Sequence, residues 1–426
     1  MYFATTSIRL RVSYSSVMAK PRYMTAKEVV AALGINAATL YSYVSRGLIR
    51  SEPSPHDHRQ RSYHAEDVYK LIERKAQRRD PTRAARRALR WGIPVLESAL
   101  TLITETGLYY RGLDALQLAQ EHSLEAVAAL LWTGDLDNAA TLFSPNPTFD
   151  DSTAGATRES PLTADAFWKS LSFIQRMQVR LAAQNDLSAF DLRPENVART
   201  GARILWLNTQ AIAPDISLSD SIASGLAQEW QDAHPRLLNA AMILCADHEL
   251  NASSFAARVV ASADANPYAV VIGGLAALQG FKHGGNTRRV RAFLREIEDR
   301  GDAHLVIAER LQRGEPIYGF GHPLYPHGDP RARLLLRMLE NTHPTNKTLE
   351  VAQRIAEEVE QITGEAPNVD FALAVLERAL QLPDDAALAL FALGRTVGWI
   401  GHAIEQYERK SLIRPRAQYT GPQPSD

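Results

Sequence analysis

Two histidines and one aspartate stand on turns in the last third of the sequence. His283 lies in the glycine-bearing segment 280–285, His322 follows Gly-Phe-Gly, and Asp370 follows Pro-Asn-Val. A carbon acid such as the methyl group of a thioester is too weak to ionise in water. Its ionisation needs a carboxylate base and hydrogen-bond donors over the developing enolate oxygen. Aspartate and histidine supply those parts, so the three residues predict an acid/base site.

At these turns the sequence resembles the citrate synthase family, whose members condense an acyl-CoA with oxaloacetate. Four further stretches match family motifs in the family's order: residues 109–112, 130–134, 246–251 and 395–415. The resemblance covers about residues 95–421, and several motifs in one order argue against chance. It implies an all-α fold with a large helical domain (95–280 and 373–421) and a small one (281–372).

The resemblance also implies a role for each residue of the acid/base set. His283 would donate a hydrogen bond to the thioester carbonyl, His322 would donate to the oxaloacetate carbonyl, and Asp370 would take the methyl proton. Domain closure that excludes water is then expected, because all three act on two substrates at once. Without the resemblance, Asp370 is simply a residue that caps the following helix.

Oxaloacetate carries two carboxylates, which planar guanidinium groups bind in a bidentate way. The candidates that the family motifs indicate are His248, Arg331, Arg395 and Arg414. In the family the last arginine reaches the site of the neighbouring subunit, so the resemblance implies a homodimer or a higher homo-oligomer. The coenzyme A thioester is a substrate, and neither a permanently bound cofactor nor a metal is expected.

The sequence departs from the family pattern at positions expected to contact coenzyme A. Phe281 and Lys282 replace Pro-Leu, and Pro323 and Leu324 replace Arg-Val. These changes leave the acyl group open between acetyl-CoA and another short acyl-CoA, so 2-methylcitrate synthesis from propionyl-CoA is an alternative. Citryl-CoA cleavage is another. A DNA-binding regulator that uses the domain as a metabolite sensor is a third, and it would not need Asp370.

Charge is divided unevenly along the chain. Residues 1–90 hold 18 Lys and Arg against 7 Asp and Glu, a net charge of +11, whereas residues 91–426 carry −12. Such a basic head favours a polyanionic partner, nucleic acid before membrane. A solvated basic helix is the alternative explanation of the same composition.

The head contains the pattern of a helix-turn-helix. Thr25 and Glu28 form a capping box, Gly34 ends the first helix, and a second helix begins near Asn36. Residues 23–75 resemble the winged-helix head of MerR-type regulators. The resemblance implies duplex DNA as a partner, contacted through Thr39, Tyr41, Ser42, Arg46, Arg59 and Arg61. A protein-docking domain of the same fold is the alternative.

The remaining segments give coarser expectations. Residues 1–22 are expected to be a disordered arm or to precede the true start at Met18 or Met24, residues 76–94 a basic helical linker, and residues 144–161 a surface loop. Helical spacing of apolar residues dominates 113–118, 126–132, 167–183, 237–244, 351–359, 371–380 and 386–393. The single Cys245 excludes an intrachain disulfide and predicts a buried thiol in a reducing bacterial cytoplasm. No transmembrane helix and no membrane partner are predicted.

Overall fold

The computed structural model describes residues 23–53, 61–65, 67–68, 96–144, 165–184, 187–217, 220–231, 233–422 and 424. The chain divides into two compact units, Met1–Glu97 (unit 1) and Ser98–Asp426 (unit 2). The expected arm (1–22), the expected linker (76–94) and nearly all of the expected loop (144–161) lie outside the described residues.

Unit 1 combines two helices with a three-stranded sheet. In chain order its elements are β1 (Tyr23–Thr25), α1 (Ala26–Leu33), α2 (Ala37–Ser45), β2 (Ser51–Pro53) and β3 (Arg61–His64). The strands pair antiparallel in the order β1–β3–β2. The predicted capping box between Thr25 and Glu28 is present, and Gly34 ends α1 with a φ of 58°. Glycine adopts this left-handed conformation at little cost.

Unit 2 opens with a small antiparallel sheet that the sequence pattern does not predict. Its strands are β4 (Thr101–Ile103), β5 (Leu108–Tyr110) and β6 (Leu113–Asp114), in that order. Leu113, expected at the start of a helix, pairs instead with Tyr110. Strands of two or three residues are too short to show a period of two. The expectation of an all-α fold is therefore corrected to a mostly helical fold.

The rest of unit 2 is helical. Its helices are α3 (Ala115–Glu121), α4 (Leu124–Thr133), α5 (Ala139–Leu142), α6 (Asp165–Ser170), α7 (Phe173–Ala182), α8 (Pro194–Gln210), α9 (Ile222–Glu229), α10 (Pro235–Leu244), α11 (Ala252–Ala261), α12 (Pro267–Leu278), α13 (Asn286–Arg300), α14 (Ala303–Gln312), α15 (Pro330–Thr342), α16 (Lys347–Thr363), α17 (Val369–Ala379) and α18 (Ala386–Arg409). Short 3-10 turns occupy Leu136–Asn138 and Leu187–Phe190. The helix predicted at 167–183 is split into α6 and α7, because the Ser172 hydroxyl caps α7.

Helix α18 is the centre of unit 2. Helices α4, α8, α10, α11 and α12 pack around it, and every residue from 386 to 404 is buried. By length and composition alone α18 could cross a membrane, yet its most apolar 18-residue stretch is wholly buried inside the protein. Core packing therefore accounts for its apolar composition. Helix α17, which precedes α18, packs mainly against α13, α15 and α16.

Two glycines let α10 end directly against α18. A Cβ at Gly394 would lie 2.1 Å from the Met242 carbonyl oxygen, and one at Gly398 would lie 2.4 Å from the Ala246 carbonyl oxygen. The Gly398 N–H donates to that Ala246 oxygen over 3.0 Å. This close contact fixes the segment that follows α10 and carries His248.

Candidate active site

His283 is held in a tight turn between α12 and α13. The turn leaves no room for a side chain at Gly284, where a Cβ would lie 2.6 Å from a methyl group of Leu278. The imidazole is partly buried, with Nε2 2.8 Å from the hydroxyl of Ser253. Burial, with the positive charge of Arg395, lowers the pKa of His283 to about 4. The ring is therefore neutral at pH 7.

The Ser253 hydroxyl decides which nitrogen of His283 carries the hydrogen. Ser253 Oγ accepts from the indole N–H of Trp399 over 3.3 Å and lies 2.9 Å from the side-chain oxygen of Asn251, which already accepts from two backbone N–H groups. A hydroxyl has one hydrogen, so Ser253 donates either to Asn251 or to His283. Donation to Asn251 makes Nε2–H of the neutral ring the donor to Ser253, whereas donation to His283 Nε2 places the ring hydrogen on Nδ1.

His322 follows two glycines with left-handed backbone. Gly319 has a φ of 92° and Gly321 a φ of 68°, which favour glycine. The Leu324 N–H donates to His322 Nδ1 over 3.1 Å. Burial and the charge of Arg331 lower the pKa of His322 to about 4. Because Nδ1 accepts, the neutral ring carries its hydrogen on Nε2.

His248, His322 and Tyr325 form one aromatic cluster. The two imidazole centroids lie 5.2 Å apart, and the His322 and Tyr325 centroids lie 5.0 Å apart. His248 Nε2 is 3.0 Å from the Tyr325 hydroxyl. Burial, followed by the charges of Arg331 and Arg395, lowers the pKa of His248 well below its ordinary value. The fold thus joins two neutral histidines from separate motifs.

Asp370 is the second residue of α17. The side-chain oxygen of Asn368 caps this helix, accepting from the N–H groups of Asp370 and Phe371 over 3.1 and 3.4 Å. Asn286 Nδ2 donates to Asp370 Oδ2 over 2.9 Å. Burial raises the pKa of Asp370 to about 6, although the Asn286 hydrogen bond and the charge of Arg331 oppose the shift. The carboxylate is largely ionised at pH 7 and is a stronger base than an ordinary aspartate.

Arg331 forms a buried ion pair with Asp329. Its Nε and Nη2 donate to the two carboxylate oxygens over 2.9 and 2.8 Å, and its guanidinium carbon lies 5.4 Å from the ring centroid of Tyr325. The sequence pattern predicts that this guanidinium binds a carboxylate of oxaloacetate. In the fold its Nε–Nη2 edge is occupied by Asp329.

Arg395 is the more readily available of the two buried candidate arginines, Arg331 and Arg395. It is 1% exposed, its Nε donates to the Cys245 carbonyl oxygen over 2.7 Å, and its Nη1 has no hydrogen-bond partner. No carboxylate within the described ranges forms an ion pair with it. A buried guanidinium nitrogen without a partner is costly unless an anion accepts its hydrogen bonds.

Cys245 itself is buried as predicted, and burial raises the pKa of its thiol to about 12.

Arg414 lies on the exposed segment that follows α18. Its side chain is exposed, and the neighbouring Leu412 is 60% exposed. The Ile413 N–H donates to the Ser262 hydroxyl over 3.1 Å, which fixes the start of the segment. No contact in the described part of the chain joins Arg414 to the cluster above, and its role in a neighbouring subunit stays a prediction.

A cavity of about 510 Å³ reaches the residues that hold Asp370. Its walls are formed by residues 316–320 together with Asn286, Leu311, Thr363, Glu365 and Asn368. The guanidinium of Arg289 lies 4.6 Å from the ring centroid of Tyr318, a wall residue, and 4.7 Å from that of Phe281. The cavity wall is therefore part apolar and part polar, and a cation contacts one of its residues.

The predicted DNA-facing residues lie on or near α2 and on β3, except Arg59, which falls outside the described residues. Tyr41 is 64% exposed, Arg46 is exposed and Ser42 is partly buried. Tyr41 and Arg46 therefore offer side chains to a partner.

The other two residues of this set are partly engaged within unit 1. The Thr39 hydroxyl donates to the Asn36 side chain over 2.8 Å and so belongs to the cap of α2. Arg61 is exposed on β3 and donates to the Ser51 hydroxyl and carbonyl oxygens over 3.0 Å. Arg61 has no carboxylate partner among the residues that the structure describes.

Several residues of the site are not evident from the sequence pattern, namely Asn286, Ser253 and Tyr325. Asn286 directly follows the glycine pair after His283, and this position is the one signal that the sequence offers for it. The described chain contains no group of three or more His, Cys, Asp or Glu placed to hold a metal ion.

Known proteins match most of the chain. A family model described as "Citrate synthase, C-terminal domain" matches residues 88–416. Citrate synthase 2 of Bacillus subtilis is 31% identical over 359 residues, covering 78% of this chain and 95% of that protein. For 2-methylcitrate synthase 2 of Corynebacterium glutamicum the identity is 29% over 344 residues, covering 74% and 88%. Among solved structures, citrate synthase from Thermotoga maritima MSB8 aligns with a TM-score of 0.64 at 28% identity, covering 79% and 96%.

Proposed function

This chain belongs to the citrate synthase family, and from that premise we propose that it condenses the acyl group of a short acyl-CoA with oxaloacetate and releases coenzyme A. It is an enzyme of the citrate synthase type, which uses a coenzyme A thioester as a substrate and needs no permanently bound cofactor. The roles of individual residues given below are proposals.

One observation carries the proposal. A carboxylate with a raised pKa, Asp370, and two neutral histidines, His283 and His322, lie within the electrostatic reach of Arg331 and Arg395. Arg331 has a carboxylate partner, Asp329, and Arg395 has none among the residues that the structure describes. Such a set provides a base, two uncharged donors and an anion site in one place.

In the first step Asp370 would take a proton from the carbon next to the thioester carbonyl. Charge then develops on the carbonyl oxygen, and the N–H of His283 would donate to it. Because His283 is neutral, it stabilises an enol or enolate by hydrogen bonding. The pKa of about 6 makes Asp370 a stronger base that is still largely ionised at pH 7.

In the second step the new carbon nucleophile attacks the ketone carbon of oxaloacetate. The Nε2–H of His322 would donate to the ketone oxygen as negative charge develops on it, and the proton that completes the hydroxyl balances the one that Asp370 took from the carbon acid. Water then hydrolyses the thioester of the condensed product, so coenzyme A leaves as a thiol and a third carboxylate forms. Arg395, the Nη1 side of Arg331 and His248 would hold the two carboxylates of oxaloacetate.

We place the acyl-CoA in the cavity of about 510 Å³. Arg289, which contacts the wall residue Tyr318, and Lys282, whose side chain also lies near Phe281, would supply positive charge for phosphate groups. Asn286 links the cavity wall to Asp370. We keep the division into a large domain (95–280 and 373–421) and a small domain (281–372). The packing of α17 against α13, α15 and α16 supports extending the small domain to the end of α17.

A thiol-release assay with acetyl-, propionyl- and butyryl-CoA tests the function. We expect release that depends on oxaloacetate, and the preferred thioester separates citrate from 2-methylcitrate synthesis.

Asp370→Asn should lower turnover by about two to four decades, whereas Asp299→Asn, at an exposed position on α13, should not. Oxaloacetate should still raise the melting temperature of Asp370→Asn. Near-wild-type turnover of Asp370→Asn would contradict the assignment of the base. Oxaloacetate binding without thiol release from any thioester would favour a metabolite sensor.

We also propose a homodimer in which Arg414 completes the partner's site. Its exposure and that of Leu412 support this arrangement. Co-expressed Asp370→Asn and Arg414→Ala chains test it, since a mixed dimer then contains one intact site. Two inactive variants should recover about a quarter of wild-type activity in a random one-to-one mixture. Recovery absent from isolated mixed dimers would place Arg414 in its own chain's site, whereas full activity of the Arg414→Ala homodimer would place it outside both sites.

A second proposal concerns unit 1, which we propose binds duplex DNA as a MerR-like head. The net charge of +11 over residues 1–90, the exposed Tyr41 and Arg46 after a capped glycine turn, and Arg61 on β3 support it. Phosphate contacts release counterions, so binding should weaken steeply as salt rises. Two heads on a dimer should prefer half-sites about one helical turn or a multiple apart.

Fluorescence anisotropy with the full chain on random and genomic DNA fragments tests this second proposal. Arg46→Ala with Arg61→Ala should weaken binding and leave thiol release unchanged. The matched control removes two exposed arginines of unit 2, Arg236 and Arg337, and should bind DNA as the wild type does. No binding at low salt would leave unit 1 as a docking module.

We place the protein in the bacterial cytoplasm, where its free Cys245 would stay reduced.

A further inference from the structure

Asn286 is the first residue of α13, and its side chain reaches the carboxylate of Asp370. The Nδ2 group donates to Asp370 Oδ2 over 2.9 Å. The same side chain lines the cavity that we assign to acyl-CoA. Among the described side chains, Asn286 is the one that hydrogen-bonds this carboxylate. Asn286 therefore contacts the proposed base and also borders the cavity in which we place the acyl-CoA.

We propose, on the basis of the role assigned to Asp370 above, that Asn286 is a positioning residue for the base. It holds Oδ2 so that Oδ1 faces the carbon from which the proton is taken. The backbone N–H of Asp370 is held separately by the cap residue Asn368. Two asparagines thus fix the backbone and the side chain of one aspartate, which limits rotation of the carboxylate before substrate binds.

An amide suits this task because it donates a hydrogen bond without adding charge. A lysine or arginine at the same distance would strongly stabilise the ionised carboxylate. The pKa of Asp370 would then fall, and the group would be a weaker base. The charged groups that face Asp370 are Arg331 and Asp329 from the start of α15, and they act in opposite directions. Cys245 at the end of α10 stays protonated. The Asn286 hydrogen bond is the largest of the effects that favour the ionised form.

The turn that carries Asn286 also carries His283. The Asn286 N–H donates to the His283 carbonyl oxygen over 2.9 Å. A Cβ at Gly285 would lie 3.0 Å from the Gln279 carbonyl oxygen, so the turn between the two residues tolerates no side chain there. The same turn therefore positions both His283, the proposed donor to the thioester oxygen, and Asn286, which holds the base.

Asn286→Ala and Asn286→Asp test the proposal in the full-length enzyme. Asn286→Ala should lower kcat by about ten- to a hundredfold with a smaller change in KM for acyl-CoA, because the base is misplaced after substrate has bound. The acid limb of the pH profile of kcat/KM should move to higher pH in Asn286→Ala and further in Asn286→Asp, which adds a second carboxylate. Asn286→Gln keeps an amide donor and should recover part of kcat.

Two comparisons separate this role from a merely structural one. Asn286→Ala added to Asp370→Asn should cost no further activity, since the amide acts through Asp370. Arg295→Ala, an exposed change on the same helix, should leave the acid limb in place.

The proposal is overturned if the acid limb stays at the wild-type pH in both Asn286→Ala and Asn286→Asp, or if Asn286→Gln is no faster than Asn286→Ala. In either case a slow Asp370→Asn enzyme would still support the function proposed above. A fast Asp370→Asn enzyme would refute that function independently of Asn286.

Discussion

Asp329 binds Arg331 with both carboxylate oxygens, and the same carboxylate accepts the backbone N–H of Val369 over 3.0 Å. One buried anion therefore holds a buried cation and the first turn of the helix that carries Asp370. Desolvation of the pair is compensated only while both charges are present.

Asp329→Ala should destabilise unit 2 strongly. Removal of one partner leaves Arg331 buried without its counterion, and the free energy of unfolding should fall by about 3–5 kcal/mol. Chemical denaturation of the purified variant measures the change. Glu340→Ala, at an exposed position on α15, should alter the same quantity by less than about 0.5 kcal/mol. Equal effects of the two substitutions would contradict the importance of the pair.

Arg395→Lys and Arg331→Lys should both raise KM for oxaloacetate more than KM for acyl-CoA. A lysine ammonium is a point charge and cannot reproduce a planar fork. Steady-state kinetics with each substrate varied in turn gives both constants. Arg337→Lys, at an exposed position, is the matched control. A parallel rise in both KM values would argue that the arginines support the fold and do not bind oxaloacetate.

The value of kcat/KM for acyl-CoA should fall as the pH drops through about 6. Asp370 must be ionised to act as the base, and burial raises its pKa to about 6. His283 and His322, with pKa values of about 4, stay neutral across that range. A pH–rate profile in buffers of constant ionic strength checks this. An acid limb near the ordinary aspartate pKa of 3.8 would show that burial is not the controlling effect.

Asp370→Asn should raise the melting temperature near pH 7. The pKa of Asp370 is higher in the folded state, about 6, than its ordinary value of 3.8. The folded state therefore binds the proton more tightly, and this contribution to stability is full below about 3.8 and is lost as the pH rises through about 6. Thermal unfolding at several pH values should show a gain for Asp370→Asn near pH 7 that shrinks towards pH 4. A gain that does not depend on pH would contradict this explanation.

Gly394→Ala should destabilise unit 2 more than Gly401→Ala on the same helix. At Gly394 the new Cβ would meet the Met242 backbone 2.1 Å away, whereas at Gly401 it would meet the end of the Leu100 side chain at 3.0 Å. Overpacking typically costs about 1–3 kcal/mol, and a backbone neighbour cannot rotate away. Comparison of the two unfolding midpoints tests the difference, and a reversed order would refute it.

Glycines mark the segments that carry His283 and His322 in the sequence, whereas Asp370, expected on a turn, is the second residue of α17. Apolar spacing locates α4, α10, α16, α17 and the start of α18, but it does not predict the long helices α8 and α13. The family and the type of enzyme are confirmed by the comparisons. Residue roles, the dimer and the DNA-binding head stay predictions.

What the sequence does not predict depends on tertiary contacts. The hydrogen bond from Asn286 to Asp370 joins the first turns of α13 and α17, and no local pattern encodes it. The bidentate ion pair between Arg331 and Asp329 becomes evident only in the fold, where both side chains are buried. Strands β4 to β6 are too short for periodicity and are formed by pairing alone.

The position of α18 after all the helices that surround it has a consequence during protein synthesis. The helices that pack around it, α4, α8, α10, α11 and α12, all leave the ribosome earlier. Until α18 emerges, their apolar faces have no central partner, and such exposed surfaces attract chaperones or lead to aggregation. Unit 2 should therefore complete its folding only after α18 has emerged, and a truncation before α18 should leave an aggregation-prone chain.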